Sequence, residues 1–396
     1  MTGFRNLLSF STIAAAINFL ASFALAYIYD PEDFGSFAYI FAFSNILSGF
    51  LFWRADFLVA KSRYLEKYAY SILVYTTVLI ALVMLLVSLV LARTELLIVI
   101  VWGAVISLSS LISYMAINRG NHLLIGYARL ANAVSITSLQ LSFSFIEDIN
   151  GLIFGSVLGS ALVHVFIFYK ITKNNFRWLT LHKTFIVLRK NFKRSFSTTI
   201  SWFFDALILS LLPILVNYKF GPVIAGYYVF ADRIIKSPVS VLTSTISPLF
   251  ISYINNVNAY LKLKLLQFKY FISISILILC TKLFLGDIVA DLIVFLWGDK
   301  WVKSSVIVEF VIIYHLSYMY NISTMYFYHH FNIVNKYVLI QGLYFISVVL
   351  LFLFFDMTWV RIIEISSYFY MSIFILNFTY HCLFLLFKVK GKKKKK

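Results

Sequence analysis

One stretch of this chain places acidic, basic and hydroxyl side chains at helical spacing within an otherwise apolar segment, residues 222–252. The set consists of Asp232, Arg233, Lys236, Ser240, Thr243 and Ser247. At about 100° per residue they fall within one arc of about 100°, and the opposite face is apolar. Charge inside an apolar helix is costly unless it faces water, a partner or a ligand. Arginine binds phosphate through two parallel hydrogen bonds and lysine adds a mobile charge, so this face suits an anion.

Acidic residues at similar depth leave two interpretations open. Asp205 lies on the preceding segment, so Asp205 and Asp232 either neutralise the cations as static pairs or form pairs that open for an anionic ligand. Together with Glu309, these two are the predicted ion-coupling residues. His164 and His315 are further protonation candidates, and a structural hydrogen bond is the alternative for each.

Other polar residues inside apolar segments complete the candidate site. The predicted substrate-binding residues are Arg233, Lys236, Arg129, Arg54, Asn18 and Gln140. Arg129, Asn132 and Gln140 share a helix face of about 80°. Alternatively, Arg129 extends to the membrane surface and Arg54 is a plain cytoplasmic anchor.

Two prolines lie within the same region of the chain. Pro213 and Pro238 are predicted hinges, because proline removes a backbone donor and bends a helix. A permanent kink is the alternative at either position.

The elements that must position these residues are long apolar segments. The chain is 61% hydrophobic and 13% charged, with mean hydropathy +0.89. A bilayer core about 30 Å thick needs about 20 helical residues. We therefore predict an all-α polytopic membrane protein of about twelve transmembrane helices, at approximately 7–29, 35–53, 68–91, 96–117, 122–146, 151–170, 197–217, 222–252, 267–286, 304–325, 337–355 and 366–387.

Charge on the connections predicts the orientation. Most of the 34 basic residues fall on alternate connections, and Lys/Arg excess marks the cytoplasmic face. Both termini are therefore predicted to be cytoplasmic, in a multi-pass membrane protein. The short apolar segment 287–297 is predicted to lie at the external interface, to which Trp297 and Trp301 are suited.

An internal repeat divides the chain. Ser9–Thr12 recurs as Ser195–Thr198, and Phe34-Gly35 recurs at the same offset as Phe220-Gly221, where we predict the first hairpin of each half to turn. The predicted domains are a six-helix lobe at 1–170, a basic cytoplasmic linker at 171–194, a second six-helix lobe at 195–390 and a polybasic tail at 391–396. Transporters built from such parallel repeats hold substrate between the halves.

Several function classes lack their sequence signatures. We predict no metal and no cofactor, because no Cys/His/Asp cluster has ligand spacing and no P-loop is present. Cys280 and Cys382 lie in apolar spans, so no disulfide framework is expected. The net charge of +18 follows the membrane orientation, so no nucleic-acid partner is predicted.

Several motifs resemble one family of transporters. The segment Asn18–Arg54, centred on Ala26–Gly35, resembles the first helical hairpin of lipid-linked oligosaccharide flippases of the Wzx type, within the MATE-like exporter superfamily. Further similarities are Gly151–Gly155 with Gly159, Phe220–Arg233 with Pro238, and Trp297–Trp301. The resemblance implies two six-helix lobes, alternating access and no enzymatic activity.

The resemblance also implies a substrate. It is undecaprenyl-diphosphate-linked oligosaccharide, moved from the cytoplasmic to the outer leaflet for O-antigen or other surface polysaccharide synthesis. The implied partners are the bilayer, a coupling ion (H⁺ or Na⁺) and polysaccharide-assembly membrane proteins. The alternatives are a MATE-like cation-coupled drug exporter and a membrane glycan polymerase or ligase, which would need a larger external loop than these connections provide.

Overall fold

The computed structural model describes residues 2–55, 59, 64–91, 95–147, 149–172, 179–255, 260–331 and 333–393. In these residues the chain is helical and contains no β-strand. The helices are α1 (Thr2–Ile28), α2 (Pro31–Phe52), α3 (Tyr64–Leu91), α4 (Glu95–Asn118), α5 (His122–Phe143), α6 (Gly151–Thr172), α7 (Leu181–Phe220), α8 (Pro222–Asn255), α9 (Tyr260–Cys280), α10 (Gly286–Trp297), α11 (Val302–Thr324), α12 (Tyr326–His330), α13 (Val334–Phe354) and α14 (Trp359–Lys393).

Membrane-spanning length is confirmed for most of the predicted spans. Among the described residues, nine helical stretches are long and apolar enough to cross a membrane, and one of them, Leu263–Tyr328, covers several helices. The helices α5 and α8 are not in that set, and both carry polar side chains along their length. The predicted all-α membrane fold of about twelve spanning helices is confirmed, whereas the cytoplasmic placement of the termini stays a prediction.

The chain divides into two compact units, Met1–Asn217 and Tyr218–Lys396. The predicted linker at 171–194 belongs in part to α7, which begins at Leu181 and runs without interruption through the predicted seventh span. Residues 394–396 of the predicted tail lie outside the described residues. The predicted lobe boundaries stay a prediction.

In the first unit, α5 packs along α6 and α1, and α2 packs along α4. Glycines let α5 and α6 approach closely. A Cβ at Gly155 would lie 2.6 Å from the Gln140 nitrogen, and a Cβ at Gly159 would lie 2.8 Å from the Ile136 Cα. Buried hydrogen bonds join the same elements, since the Tyr29 hydroxyl donates to the Gln140 carbonyl at 2.6 Å.

In the second unit, α11 packs between α8 and α14. Its start is held by the Ser304 hydroxyl, which donates to the Tyr227 carbonyl at 2.9 Å. The Trp301 ring lies 4.0 Å from the Phe230 ring, centroid to centroid, and Trp301 is 0% exposed. Both the Trp297 and the Trp301 ring pack on Phe230 of α8, and their place at the membrane interface stays a prediction.

The segment that precedes these tryptophans continues a helix. From Tyr260 to Trp297 the backbone stays helical, because a π-helical turn at Thr281–Leu285 joins α9 to α10. Residues 287–297 are therefore the continuation of a predicted span rather than a separate segment. A π-turn adds one residue to a helical turn without breaking the helix.

The Phe-Gly repeat takes two different conformations. Gly221 has φ +86° and marks the turn between α7 and α8, as predicted. Phe34 and Gly35, by contrast, lie inside the first turns of α2, which begins at Pro31. The Asp30 amide donates to Asp33 Oδ2 at 3.1 Å, and proline suits the first helical position, so the helix starts earlier than the repeat predicts.

Candidate functional site

A buried histidine–aspartate pair lies at the centre of the candidate site. His315 Nε2 on α11 lies 2.8 Å from Asp232 Oδ1 on α8. The His315 side chain is 2% exposed and the Asp232 side chain 23%. A carboxylate only accepts hydrogen bonds, so Nε2 carries the proton when Asp232 is ionised. The hydrogen-bond partner of Asp232 is thus a histidine from another helix.

The charged residues of α8 lie on its more exposed side. Lys236 and Ser240 are exposed, and Asp232 and Arg233 are half-buried, whereas Ala231 and Ile234 on the other side are buried. Charged and buried apolar side chains thus lie on different sides of this helix.

The hydroxyls of the stripe are occupied within their own helix. Ser240 Oγ donates to the Ser237 carbonyl at 2.7 Å and Thr243 Oγ1 to the Val239 carbonyl at 2.8 Å. Such local bonds satisfy a hydroxyl without a ligand. The side chain of Ser247 lies outside the described part of the chain.

A cluster of buried tyrosines begins beside the histidine. The Tyr314 ring lies 5.3 Å from the His315 ring and 4.9 Å from the Tyr370 ring, and Tyr370 lies 4.8 Å from Tyr344, centroid to centroid. These tyrosines come from α11, α14 and α13 and are nearly fully buried. They are not among the residues predicted from the sequence, although the adjacency of Tyr314 and His315 on one apolar helix was a visible signal.

A second ion pair lies on α11. Lys282 Nζ lies 2.7 Å from Glu309 Oε1, and the Lys282 side chain is half exposed. Glu309 precedes His315 by six residues, about 9 Å along the helix axis. Its predicted ion-coupling role stays a prediction, and the structure adds the lysine partner that sequence reasoning did not name.

Predicted site residues of the first unit lie in separate places. The Arg54 guanidinium lies 4.5 Å above the Trp202 ring. Arg129 Nη1 donates to Ser11 Oγ of α1 at 2.9 Å, and Asn18 is exposed. Their predicted substrate contacts stay predictions.

The helix α5 does not bring its two predicted residues together. Eleven residues separate Arg129 from Gln140, about 16 Å along the axis. Gln140 is fully buried, and its Nε2 donates to Ser156 Oγ of α6 at 2.8 Å and to the Leu152 carbonyl at 3.1 Å. In this arrangement Gln140 joins two helices.

The remaining predicted residues occupy buried or helical positions. Asp205, on α7, is 8% exposed. His164 Nδ1 lies 2.7 Å from the Ser160 carbonyl one turn earlier, which is the structural hydrogen bond that the sequence left open as an alternative for this histidine. Pro213 is buried and Pro238 is exposed, and both helices continue across them. Their hinge roles stay predictions.

The pair between α8 and α11 leads to a test of stability. We expect Asp232→Ala and His315→Ala each to lower the thermal unfolding temperature, and the double variant to lower it by clearly less than the sum. The reason is that a hydrogen bond to a charged group contributes about 1.5–3 kcal/mol, which either single change removes. Unfolding of the purified protein in detergent measures the four temperatures. Additive shifts would show that the two side chains do not interact.

Comparison with solved structures identifies the fold. The lipid II flippase MurJ in an inward closed conformation matches at TM-score 0.67 and 16% identity, over 97% of this chain and 87% of that chain. A MOP superfamily transporter from Pyrococcus furiosus, described as having a binding pocket of reverse polarity, matches at TM-score 0.60 and 13% identity, over 97% and 95%. An inward-facing multidrug resistance MATE family transporter matches at TM-score 0.56 and 12% identity, over 97% and 95%.

These similarities define the class of fold. The chain has the MATE-like fold of MOP superfamily transporters and is a multi-pass membrane protein. No protein-family model matches the sequence. No curated protein matches it either.

Proposed function

We propose that this protein is a flippase that moves undecaprenyl-diphosphate-linked oligosaccharide from the cytoplasmic to the outer leaflet, for synthesis of a surface polysaccharide. The observation that carries the proposal is the charge on α8. Arg233 and Lys236 lie within four residues of Asp232 on this helix, and Asp232 is hydrogen-bonded to His315. Two cations on one helix face suit a diphosphate.

Electrostatics supports an anionic substrate over a cationic one. Two charges 4 Å apart attract by about 4 kcal/mol at an effective dielectric constant near 20, against about 1 kcal/mol in water. A half-buried arginine beside an exposed lysine therefore binds phosphate more strongly than the same residues on a water-exposed loop. Arginine also fixes the orientation of the phosphate through two parallel bonds.

The similarity to MurJ supports the same class of substrate, because that protein's name describes the transport of a lipid-linked molecule. The Pyrococcus structure supports the use of pocket polarity as a criterion, since the reverse polarity of its binding pocket is described as suggesting a different function. Both proteins are distant in sequence, so the proposal depends on the charge of this chain's own residues.

Disruption of the gene tests the proposed activity. We expect lipid-linked oligosaccharide to accumulate, inaccessible to a membrane-impermeant glycosidase added to intact cells, because the headgroup stays on the cytoplasmic leaflet. Restoring the wild-type gene should restore access. Accessible, unpolymerised oligosaccharide in the disrupted strain would contradict a flippase and favour a polymerase.

A cation-coupled drug exporter is the second candidate, favoured by the match to MATE structures. Such an exporter needs acidic residues to bind cationic drugs. Asp232 and Glu309 are both bonded to basic side chains, which reduces their attraction for a cation. Drug resistance that falls on disruption, with unchanged surface glycan, would favour this candidate over the flippase.

A further inference from the structure

A groove on the first unit lies apart from the charged face of α8. It follows α5 and α6 and encloses a volume of about 920 Å³. Its walls are apolar along most of their length, and the lining includes Leu124, Tyr127, Ala131, Val134, Leu162 and Phe166. Four of these, Tyr127, Val134, Leu162 and Phe166, are large side chains that remain well exposed.

The length of the groove matches one leaflet of a bilayer. On α5 the lining runs from Leu124 to Ser135, eleven residues or about 16 Å. Half of a hydrocarbon core about 30 Å thick is about 15 Å. An acyl chain that follows the groove would therefore stay within a single leaflet.

Basic residues lie at one end of the groove. Arg119 and Lys170 line it there, at the end of α4 and of α6. Arg119 is matched by Glu66, with Nη2 2.6 Å from Oε2. Lys170 is exposed, and within the described residues no carboxylate lies in ion-pair distance of it. The groove thus combines apolar walls with an exposed lysine, Lys170, at one end.

The helix α5 adds positive potential at that end. It begins there, at His122, so the positive end of its dipole lies near Lys170. Charge excess on the connection that follows α6 is, in the sequence, the pattern of a cytoplasmic face, where anionic lipids attract lysine.

We propose that this groove binds one anionic phospholipid of the leaflet that contacts Lys170. The phosphate lies at Lys170, beside the Arg119–Glu66 pair, and an acyl chain follows α5 and α6 past Ala131. This site is independent of the proposed substrate site on α8, because none of its residues lies on the second unit.

Reconstitution of the full-length protein tests the proposal. The protein is placed in vesicles of equal parts phosphatidylglycerol and phosphatidylcholine with the same acyl chains, and retained lipid is counted by native mass spectrometry. We expect Lys170→Gln to reduce the preference for phosphatidylglycerol about fivefold, because one lysine near the membrane surface contributes about 1 kcal/mol of attraction to anionic lipid. Lys269→Gln, an exposed lysine of α9, should leave the preference unchanged.

A second substitution tests the channel rather than the charge. Ala131→Trp fills the groove, so we expect loss of retained lipid of both kinds. If the Ala131→Trp protein does not fold, Val134→Trp, which also lines the groove, is used in its place. An unchanged preference in Lys170→Gln, an equal loss in Lys269→Gln, or full lipid retention with the groove filled would each overturn the proposal.

Discussion

Replacing Arg233 by alanine should reduce glycan export about a hundredfold while leaving the protein folded. Hydrogen bonds to charged groups contribute about 1.5–3 kcal/mol, and arginine makes two of them to one phosphate. The residue is half-buried on the charged face of α8, so solvent compensates little for its loss. Lys236→Ala should cost about tenfold, because the exposed lysine acts as a single mobile charge.

Measurement requires glycan level and folded protein in the same cells. Surface glycan is quantified by gel or antibody, and the folded fraction by size-exclusion of the fluorescently tagged protein. Ser240→Ala is the matched control, because Ser240 is exposed on the same helix and its hydroxyl bonds to the Ser237 carbonyl. Arg233→Lys should recover part of the activity, since it keeps the charge and loses the planar fork. Full glycan in both alanine variants would remove α8 from the substrate site.

The second large effect concerns folding of the first unit. Gly155→Ala should lower the stability by about 3 kcal/mol, because the added methyl would lie 2.6 Å from the Gln140 nitrogen and 2.8 Å from its Cα. Backbone atoms of a packed helix cannot move aside as a flexible side chain does. The expected result is a clear fall in unfolding temperature and in membrane-inserted protein.

Gly120→Ala provides the contrast for this substitution. Gly120 has φ +68°, and a Cβ there would have no atom within 4 Å. Its cost should be about 1 kcal/mol, from backbone conformation alone. Equal effects of the two substitutions would show that the close approach of α5 and α6 does not limit stability.

Hydropathy predicted the fold class because most helices that cross a bilayer are long and apolar whatever their neighbours are. The charged stripe on α8 was predictable for the same reason, since helical spacing places side chains without reference to other helices. The pairing of Asp232 was not predictable in this way. Sequence reasoning paired it with cations nearby in the chain, whereas the structure brings His315 from 83 residues away.

The error at Phe34-Gly35 has a local physical cause. The dipeptide Phe-Gly permits a turn but does not require one. In the first half, Pro31 and the Asp30–Asp33 contact start the helix before Gly35 is reached.

The amino-acid sequence by itself determined that this protein is a bundle of membrane helices, that one of them carries a basic stripe, and how the connections divide by charge. These properties depend on the bilayer as solvent and on helical periodicity, both of which act locally along the chain. Only the tertiary structure decided that Asp232 bonds His315, that tyrosines of three helices cluster beside that histidine, and that Gln140 joins α5 to α6. Those contacts depend on which helices pack together, because a side chain's partners in an apolar core come from neighbouring helices far away in sequence.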